Sequence, residues 1–357
     1  MDLQNEQRTA SYLRVISGEM RGVSASAFRR SLRAASWTYG SAAWLRNRCF
    51  DWGWRQSAAA SVPVISVGNL TVGGTGKTPC VEYIARFLHK SGIRVAILSR
   101  GYGSNGGPND EALLLERNLP DVPHLQGPDR VALANEAVTK FDSQVLILDD
   151  GFQHRRLQRA LDVVLIDATE AWGYGHLLPR GLLRESPREL RRANAVLLAH
   201  SDQVRDQDRQ QLKSEIRRLS PHALVVETEH RPLEWLAADG GTRPLDAIRG
   251  NVAAFCGIGN PDTFRRTIHS IGLMIREFRA FPDHHHHDPV ELESWARQLP
   301  QGRPILTTQK DLVKLKRMKL AGHDLLALRI DLSVQKGEEA LRQMITNVVP
   351  AGAQLST

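Results

Sequence analysis

Residues 62–79 read VPVISVGNLTVGGTGKTP. The opening VPVISVG (62–68) is a β-branched run without polar alternation, the texture of a strand buried on both faces in a parallel sheet. A Gly-rich turn, TVGGTGKT (71–78), follows, and then a helical pattern, PCVEYIARFLHKSG (79–92), closed by Gly92. Strand, Gly-rich turn and helix in that order form the context of a phosphate-binding loop. Glycines let backbone N–H groups converge on phosphate oxygens, and the helix N-terminus adds positive potential. On this reading Thr71, Val72, Gly73, Gly74, Thr75, Gly76, Lys77 and Thr78 bind ATP. Lys77 is expected to reach the β- and γ-phosphates and Thr78 to place its hydroxyl on Mg²⁺. The usual pattern starts with Gly where this chain has Thr71; Gly73 and Gly74 inside the loop are expected to compensate.

Outward from the loop, strands and helices alternate. Strands are expected at 94–100, 144–150, 162–168 and 195–200, with helices around 129–140 and at 203–219. A second αβ set begins near 222, with strand-like 222–229, 252–259, 304–308 and 325–331 and helices at 261–272 and 290–299. The fold class that follows is α/β: a P-loop NTPase-like, doubly wound parallel sheet with a second, smaller αβ domain and an N-terminal amphipathic helix. The division expected along the 357 residues is a loose lead-in at 1–24, an amphipathic helix at 25–60, a phosphate-binding core at 61–230 and a smaller αβ domain at 231–357. The segment RPLEWLAADGGTRPLD, near 230–250, reads as the break between the two domains.

Residues 25–60 hold Trp37, Trp44, Trp52 and Trp54, four of the seven tryptophans, and six arginines against one acid, Asp51. Phe28, Leu32, Ala35, Tyr39 and Ala42 recur at helical spacing. An amphipathic, Trp- and Arg-rich helix suits a membrane interface. The net charge of +8 fits an anionic partner. No stretch of about 18 apolar residues reads as a membrane span, and no charged start followed by an apolar run reads as a signal peptide. Cys49, Cys80 and Cys256 have neither metal-ligand nor disulfide-framework spacing, which points to a reducing compartment. No basic stripe with aromatic spacing suggests nucleic acid, and no obligate protein partner is inferred.

Other residues carry chemistry. Asp149 and Asp150 end the strand QVLILDD, at the carboxyl edge where open α/β sheets bind ligands, and such acids hold Mg²⁺. The next residues place Gln153, His154, Arg155 and Arg156 at the same edge. Asp110 and Glu111 follow a Gly-rich loop and suit a hydroxyl nucleophile or the metal, while LLPRGLLRES (177–186) brings Arg180, Arg184 and Glu185 onto one loop. In FPDHHHHDP (281–289), adjacent histidines on an extended chain point to opposite faces, so four do not converge on one ion. A catalytic role for one of them is expected instead.

Taken together, VPVISVGNLTVGGTGKTP (62–79), SRGYG (99–103), DE (110–111), LDDGFQHRRL (148–157), LPRGLLRES (178–186), GIGNP (257–261), FPDH (281–284) and TTQKD (307–311) resemble the tetraacyldisaccharide 4'-kinase family. The resemblance spans about 250 residues in family order. It implies ATP- and Mg²⁺-dependent phosphorylation of a glycolipid, the tetraacylated glucosamine disaccharide 1-phosphate of lipid A synthesis, at its 4'-hydroxyl. It also implies peripheral attachment at the cytoplasmic face of the bacterial inner membrane. The alternative is a P-loop ATPase of the switch or assembly type acting on a protein partner. The catalytic set implied is Asp110, His284, Lys77, Asp149 and Asp150; the metal set is Thr78, Asp150 and Glu185; the substrate set is Asn69, Gln153, His154 and Arg184. Asp110 is expected to accept the hydroxyl proton with help from His284, domain closure bringing the two together. Four positions depart from the family pattern: Asn109 for Gly, Ala112 for Pro, Gln309 for Glu and Ser186 for Pro.

Overall fold

The β-branched run that opens the phosphate-binding motif forms a strand in which every residue is buried, and the rest of the core is laid out around it. The computed structural model describes residues 11–101, 109–283, 285, 287–315 and 317–350. In chain order the elements are α1 (11–17), α2 (Val23–Asp51), β1 (Val64–Asn69), α3 (Lys77–Lys90), β2 (Val95–Ser99), α4 (Asp110–Asn118), β3 (His124–Gln126), α5 (Arg130–Phe141), β4 (Val145–Asp149), β5 (Leu161–Asp167), β6 (Ala195–Ala199), α6 (Asp206–Leu219) and β7 (Leu224–Leu236). There follow β8 (Thr242–Pro244), β9 (Asn251–Cys256), α7 (Pro261–Ser270), β10 (Met274–Ala280), α8 (Pro289–Ala296), β11 (Ile305–Thr308), α9 (Gln309–Leu315), β12 (Lys319–Leu320), β13 (His323–Lys336) and α10 (Glu338–Thr346).

Two compact units emerge. Among the described residues, the first takes 11–101, 119–229 and 334–350; the second takes 109–118 and those of 230–333. A linear division at 230 is therefore too simple. Residues 109–118, which carry Asp110, group with the second unit, and helix α10 groups with the first. The segment expected to be a break is instead strand: β7 runs unbroken to Leu236, and Trp235 is fully buried.

In the first unit the strand order is β7, β6, β5, β1, β4, β2, β3, and every pair is parallel. Val64 stands beside Leu146 and Ile65 beside Leu161, so β1 has a neighbour on each side. Strands β4, β5 and β6 are buried along their whole length, as expected where helices cover both faces. In the second unit β10, β9, β11 and β13 are parallel, with β7 beside β13. Their core is built on Phe255, Phe281, Trp295 and Leu325 on one side and Trp235, Phe264 and Leu326 on the other.

Part of the expected loose lead-in is built into the fold. Residues 11–17 are helical, and Ile16 is 1% exposed. The Ile16 carbonyl accepts from Arg180 Nη1 at 2.8 Å, and the Tyr12 hydroxyl donates to the Pro179 carbonyl. The lead-in is thus tied to the 176–185 loop, because Val15 and Ile16 offer it an apolar anchor. The amphipathic helix α2 ends at Asp51, short of the expected residue 60. Its buried positions, Ala25, Ser36 and Asn47, lie eleven residues apart, three turns each, on one narrow face. That face is small and polar: Ser36 Oγ donates to the Leu177 carbonyl at 2.9 Å and the Tyr39 hydroxyl to the Arg184 carbonyl at 3.0 Å. Val23, Phe28, Trp37, Trp44 and Leu45 are left exposed. No helix among the described residues is long and apolar enough to cross a membrane.

Candidate active site

The first unit builds a phosphate-loop site at the carboxyl ends of β1 and β4. Asn69 ends β1, is fully buried, and holds the loop at two points. Its Nδ2 donates to the Thr71 carbonyl at 2.7 Å and to Thr75 Oγ1 at 2.9 Å. Its Oδ1 accepts from Lys77 Nζ at 3.4 Å. The loop is also stitched to the neighbouring segment, since Val72 N donates to the Leu182 carbonyl at 2.8 Å and Arg184 N to the Leu70 carbonyl at 2.7 Å. Gly76 precedes α3 at φ 81, a left-handed conformation that favours glycine. The helix begins at Lys77 without a side-chain cap and without an acid in its first turn. First-turn N–H groups lacking an internal partner, beside a lysine, form an anion-binding end. Pro79 sits where its missing N–H is not needed.

Opposite the loop, β4 ends in Asp149, which is buried, and Asp150, which leaves the strand at φ 50. Asp150 faces two cations: Lys77 Nζ at 3.5 Å and Arg184 Nη1 at 2.8 and 2.9 Å from its two oxygens. Burial would raise the Asp150 pKa, but Lys77 and Arg184 outweigh it and hold the carboxyl below its ordinary range. The turn after Asp150 packs tightly on β1. A Cβ on Gly68 would lie 2.6 Å from Phe152 Cβ and 2.7 Å from its backbone nitrogen, so only glycine fits there. Gln153 Nε2 donates to the Asn69 carbonyl at 2.9 Å. Asn69 and Gln153, expected to contact substrate, therefore brace the phosphate loop. His154 lies beside Arg130, with Nδ1 and Nη1 3.4 Å apart; burial, then Arg130, Arg156 and Arg159, push its pKa down to about 4.

Glu185, expected in the metal set, meets two arginines here. It is 1% exposed, and its two oxygens meet Arg192 Nη2 at 2.5 Å and the Arg46 guanidinium. A carboxylate held in this way between two arginines ties α2 to the loop that braces the phosphate site. Thr78 starts α3 beside Lys77, and Arg184 reaches Asp150 as described.

The second unit holds the other group of charges. Asp110 opens α4 and is buried, but it does not cap the helix: Asn109 Oδ1 accepts from Ala112 N at 2.9 Å. The family departure at 109 thus supplies a good N-cap. Asp110 Oδ2 faces two lysines of α9, Lys314 Nζ at 3.5 Å and Lys310 Nζ at 3.8 Å. Lys310 also meets Asp283 at 3.0 Å and Glu111 at 3.5 Å. Burial would lower the Lys310 pKa, but Asp283, Glu111 and Asp110 raise it above its ordinary value. Gln309 is buried and reaches Asn118 Oδ1 at 3.4 Å. His284, the expected partner of Asp110, lies outside the described residues. Because Asp110 belongs to the second unit, closure between domains is not what would join it to a residue of 230–333. The lysines went unassigned in the sequence; the quoted TTQKD motif was the signal that held Lys310.

Comparison with known proteins places the chain among relatives. The sequence model of the LpxK family, described as tetraacyldisaccharide-1-P 4'-kinase, matches residues 28–350. A tetraacyldisaccharide 4'-kinase of Anaeromyxobacter sp. (strain Fw109-5) is 41% identical over 333 residues, 87% of this chain and 89% of that protein. One from Syntrophus aciditrophicus (strain SB) is 38% identical over 342 residues, 86% and 90% of the two chains. The crystal structure of "apo" form LpxK from Aquifex aeolicus in complex with ATP matches with a TM-score of 0.70 and 31% identity, covering 90% of this chain and all of that one. With the phosphate loop, the paired acids and the second αβ unit all present, the chain belongs to the tetraacyldisaccharide-1-P 4'-kinase family.

Proposed function

We propose that this protein transfers the γ-phosphate of ATP to the 4'-hydroxyl of a tetraacylated glucosamine disaccharide 1-phosphate, a step of lipid A synthesis. The observation that carries the reading is the uncapped N-terminus of α3 with Lys77 at its start and Asp150 facing it, in a chain of this family. Residues 71–78 bind the ATP phosphates. Lys77 leaves Asp150 for the β- and γ-phosphates and absorbs charge as the phosphoryl group moves. Asp149, Asp150 and the Thr78 hydroxyl are the groups that would hold Mg²⁺, a hard cation that prefers oxygen ligands. When bound, the metal neutralises charge between the β- and γ-phosphates. Arg184, freed from Asp150, is available to a phosphate oxygen. Asp110, with His284 as its partner, accepts the hydroxyl proton.

The exposed Trp37, Trp44, Trp52 and Trp54, with the arginines of α2, support peripheral attachment to the cytoplasmic face of the inner membrane. Attachment there brings the enzyme to a substrate whose acyl chains hold it in the bilayer. The test is mass spectrometry of the disaccharide 1-phosphate in mixed micelles with protein, ATP and Mg²⁺. Addition of one phosphate at the 4'-position is expected. ATP turnover that is indifferent to the lipid, with no phosphorylated product, would overturn the reading.

A further inference from the structure

The charges around Asp110 are not arranged alike. Lys310 lies among three carboxylates, those of Asp283, Glu111 and Asp110, at 3.0, 3.5 and 3.8 Å, and so balances a group of acids. Lys314 is held differently. Lys314 Nζ donates to the His285 carbonyl at 3.0 Å and forms ion pairs with Asp311 Oδ1 at 3.2 Å and Asp110 Oδ2 at 3.5 Å. Two of these are rigid. Asp311 is fully buried; it accepts from Gly257 N at 2.9 Å and Thr308 Oγ1 at 2.6 Å, and lies 2.8 Å from His287 Nε2. His287 is buried in turn against Phe255 and Phe281. Lys314 is thus a fixed cation, fastened at its back to an anchored carboxylate and aimed forward at Asp110.

From this geometry we infer that Lys314, held by Asp311 and His287, is a positioning residue that keeps the Asp110 carboxylate ionised and oriented for the hydroxyl proton. The inference rests on the reading of Asp110 as the base. It also answers a chemical difficulty. A carboxylate next to an ammonium is a weaker base, yet in phosphoryl transfer through a loose transition state positioning and electrostatics carry most of the catalysis. A base that is always ionised and correctly aimed suits such a reaction better than a strong base that is often protonated. Among the described residues, Lys310 and Lys314 are charged groups that face Asp110; Glu111 and Asp283 lie on Lys310, and Asp311 and His287 lie behind Lys314.

The experiment compares Asp110→Asn, Lys314→Gln, Lys314→Arg and His287→Gln in the full-length protein. It measures kcat/KM for the lipid acceptor from about pH 3.5 to 9, so that the limb of a carboxylate with an ordinary pKa of about 3.9 falls inside the range, together with ATP affinity and thermal melting. Loss of an opposite charge at this distance moves a carboxylate pKa upward by roughly one unit or more. Lys314→Gln is therefore expected to lower kcat at least about tenfold and to move the acid limb of the profile up by about one pH unit. Lys314→Arg should return the limb to its wild-type position and restore most of the rate, and ATP affinity should not move in either. If Lys314→Gln melts early, Lys314→Met, which keeps the aliphatic stem without the charge, takes its place. A folded, uncharged variant with the wild-type acid limb overturns the inference, as does an equal loss in the Arg and Gln variants with no movement of the limb. A limb that disappears in His287→Gln would assign the titration to that histidine and also overturn it. Asp110→Asn separates the two levels. If it is active, the base itself is misassigned and the positioning role falls with it; if it is inactive while the limb of Lys314→Gln stays put, only the positioning role fails.

Discussion

Replacing Glu185 by glutamine distinguishes a structural carboxylate from a metal ligand. The side chain is 1% exposed and lies between Arg192, itself 11% exposed, and Arg46, which is 39% exposed. Breaking a buried ion pair by removing one partner costs about 3–5 kcal/mol, because the other charge is left uncompensated. Arg192 keeps some compensation. Its Nε lies 3.1 Å from Glu189, its Nη1 donates to the Phe152 carbonyl at 3.1 Å, and its guanidinium stacks 4.1 Å from the Phe152 ring centre. That places the loss at the low end, about 3 kcal/mol. Arg46 reaches solvent and adds less than about 1 kcal/mol. At about 2–4 °C per kcal/mol for a folding unit of 150–250 residues, Glu185→Gln should lower the melting temperature by about 6–12 °C. The assay is thermal unfolding followed by circular dichroism, with and without Mg²⁺ and ATP, paired with a Mg²⁺ titration of the kinase rate well below the melt. The melting temperature should fall to a similar extent under both conditions, and half-saturation by Mg²⁺ should stay at the wild-type value. An unchanged melting temperature with a raised Mg²⁺ requirement would refute the structural assignment and return Glu185 to the metal shell.

Asp150→Asn should raise the Mg²⁺ concentration for half-maximal rate, because it removes a charged oxygen from the proposed site; a Mg²⁺ dependence identical to wild type would exclude Asp150 as a ligand. Trp37 and Trp54, 72% and 73% exposed, should each lower partitioning onto anionic vesicles about tenfold when changed to alanine, given about 1.5–3 kcal/mol for burying a large apolar side chain. Flotation that both changes leave intact would remove these residues from the membrane surface. The His154 pKa is pushed down to about 4 in the folded chain from an ordinary 6.5, so the unfolded chain binds the extra proton first as pH falls. Its stability contribution is whole above about 6.5 and is lost as pH drops towards 4. His154→Gln should therefore lose less stability than wild type between pH 7 and pH 4.5 in urea unfolding, and parallel curves would refute the coupling.

The parts of this molecule that could be read from its sequence are those whose interactions lie close together along the chain. β1, the phosphate loop and α3 follow one another within 27 residues, and each carries its own local signal: a β-branched run, glycines, a helical period. The acids at the end of β4 could be read because a parallel strand brings its carboxyl end to the ligand-binding edge whatever the details of packing. Elements without such a signal were missed. β10, MIREFRA, has no buried residue, so no apolar run announces it. β3 is three residues long and α9 seven, too short for periodicity to show. β7 continues through HRPLEWL (230–236), which reads as the start of a linker until Trp235 and Leu236 are seen to be buried.

What the sequence leaves unread in the site has a related cause, since a charged residue's surroundings depend on which opposite charge it meets. Glu185 and Arg46 are 139 positions apart, and only the packing of α2 against the loop brings them together. Next to Arg184 on a Gly- and Pro-rich loop, a glutamate reads as a metal ligand; in the fold it is buried between two guanidinium groups. Asp110 shows the converse. Its neighbours Lys310 and Lys314 stand about 200 residues away in sequence, on a helix that carries two lysines and an aspartate on successive turns. The i, i+4 spacing puts both ammonium groups on one face, and Asp311 turns one of them from a mobile surface charge into a fixed one. Motif residues can thus be named from the sequence, whereas their division into groups that touch substrate and groups that hold others in place follows from the long-range ion pairs.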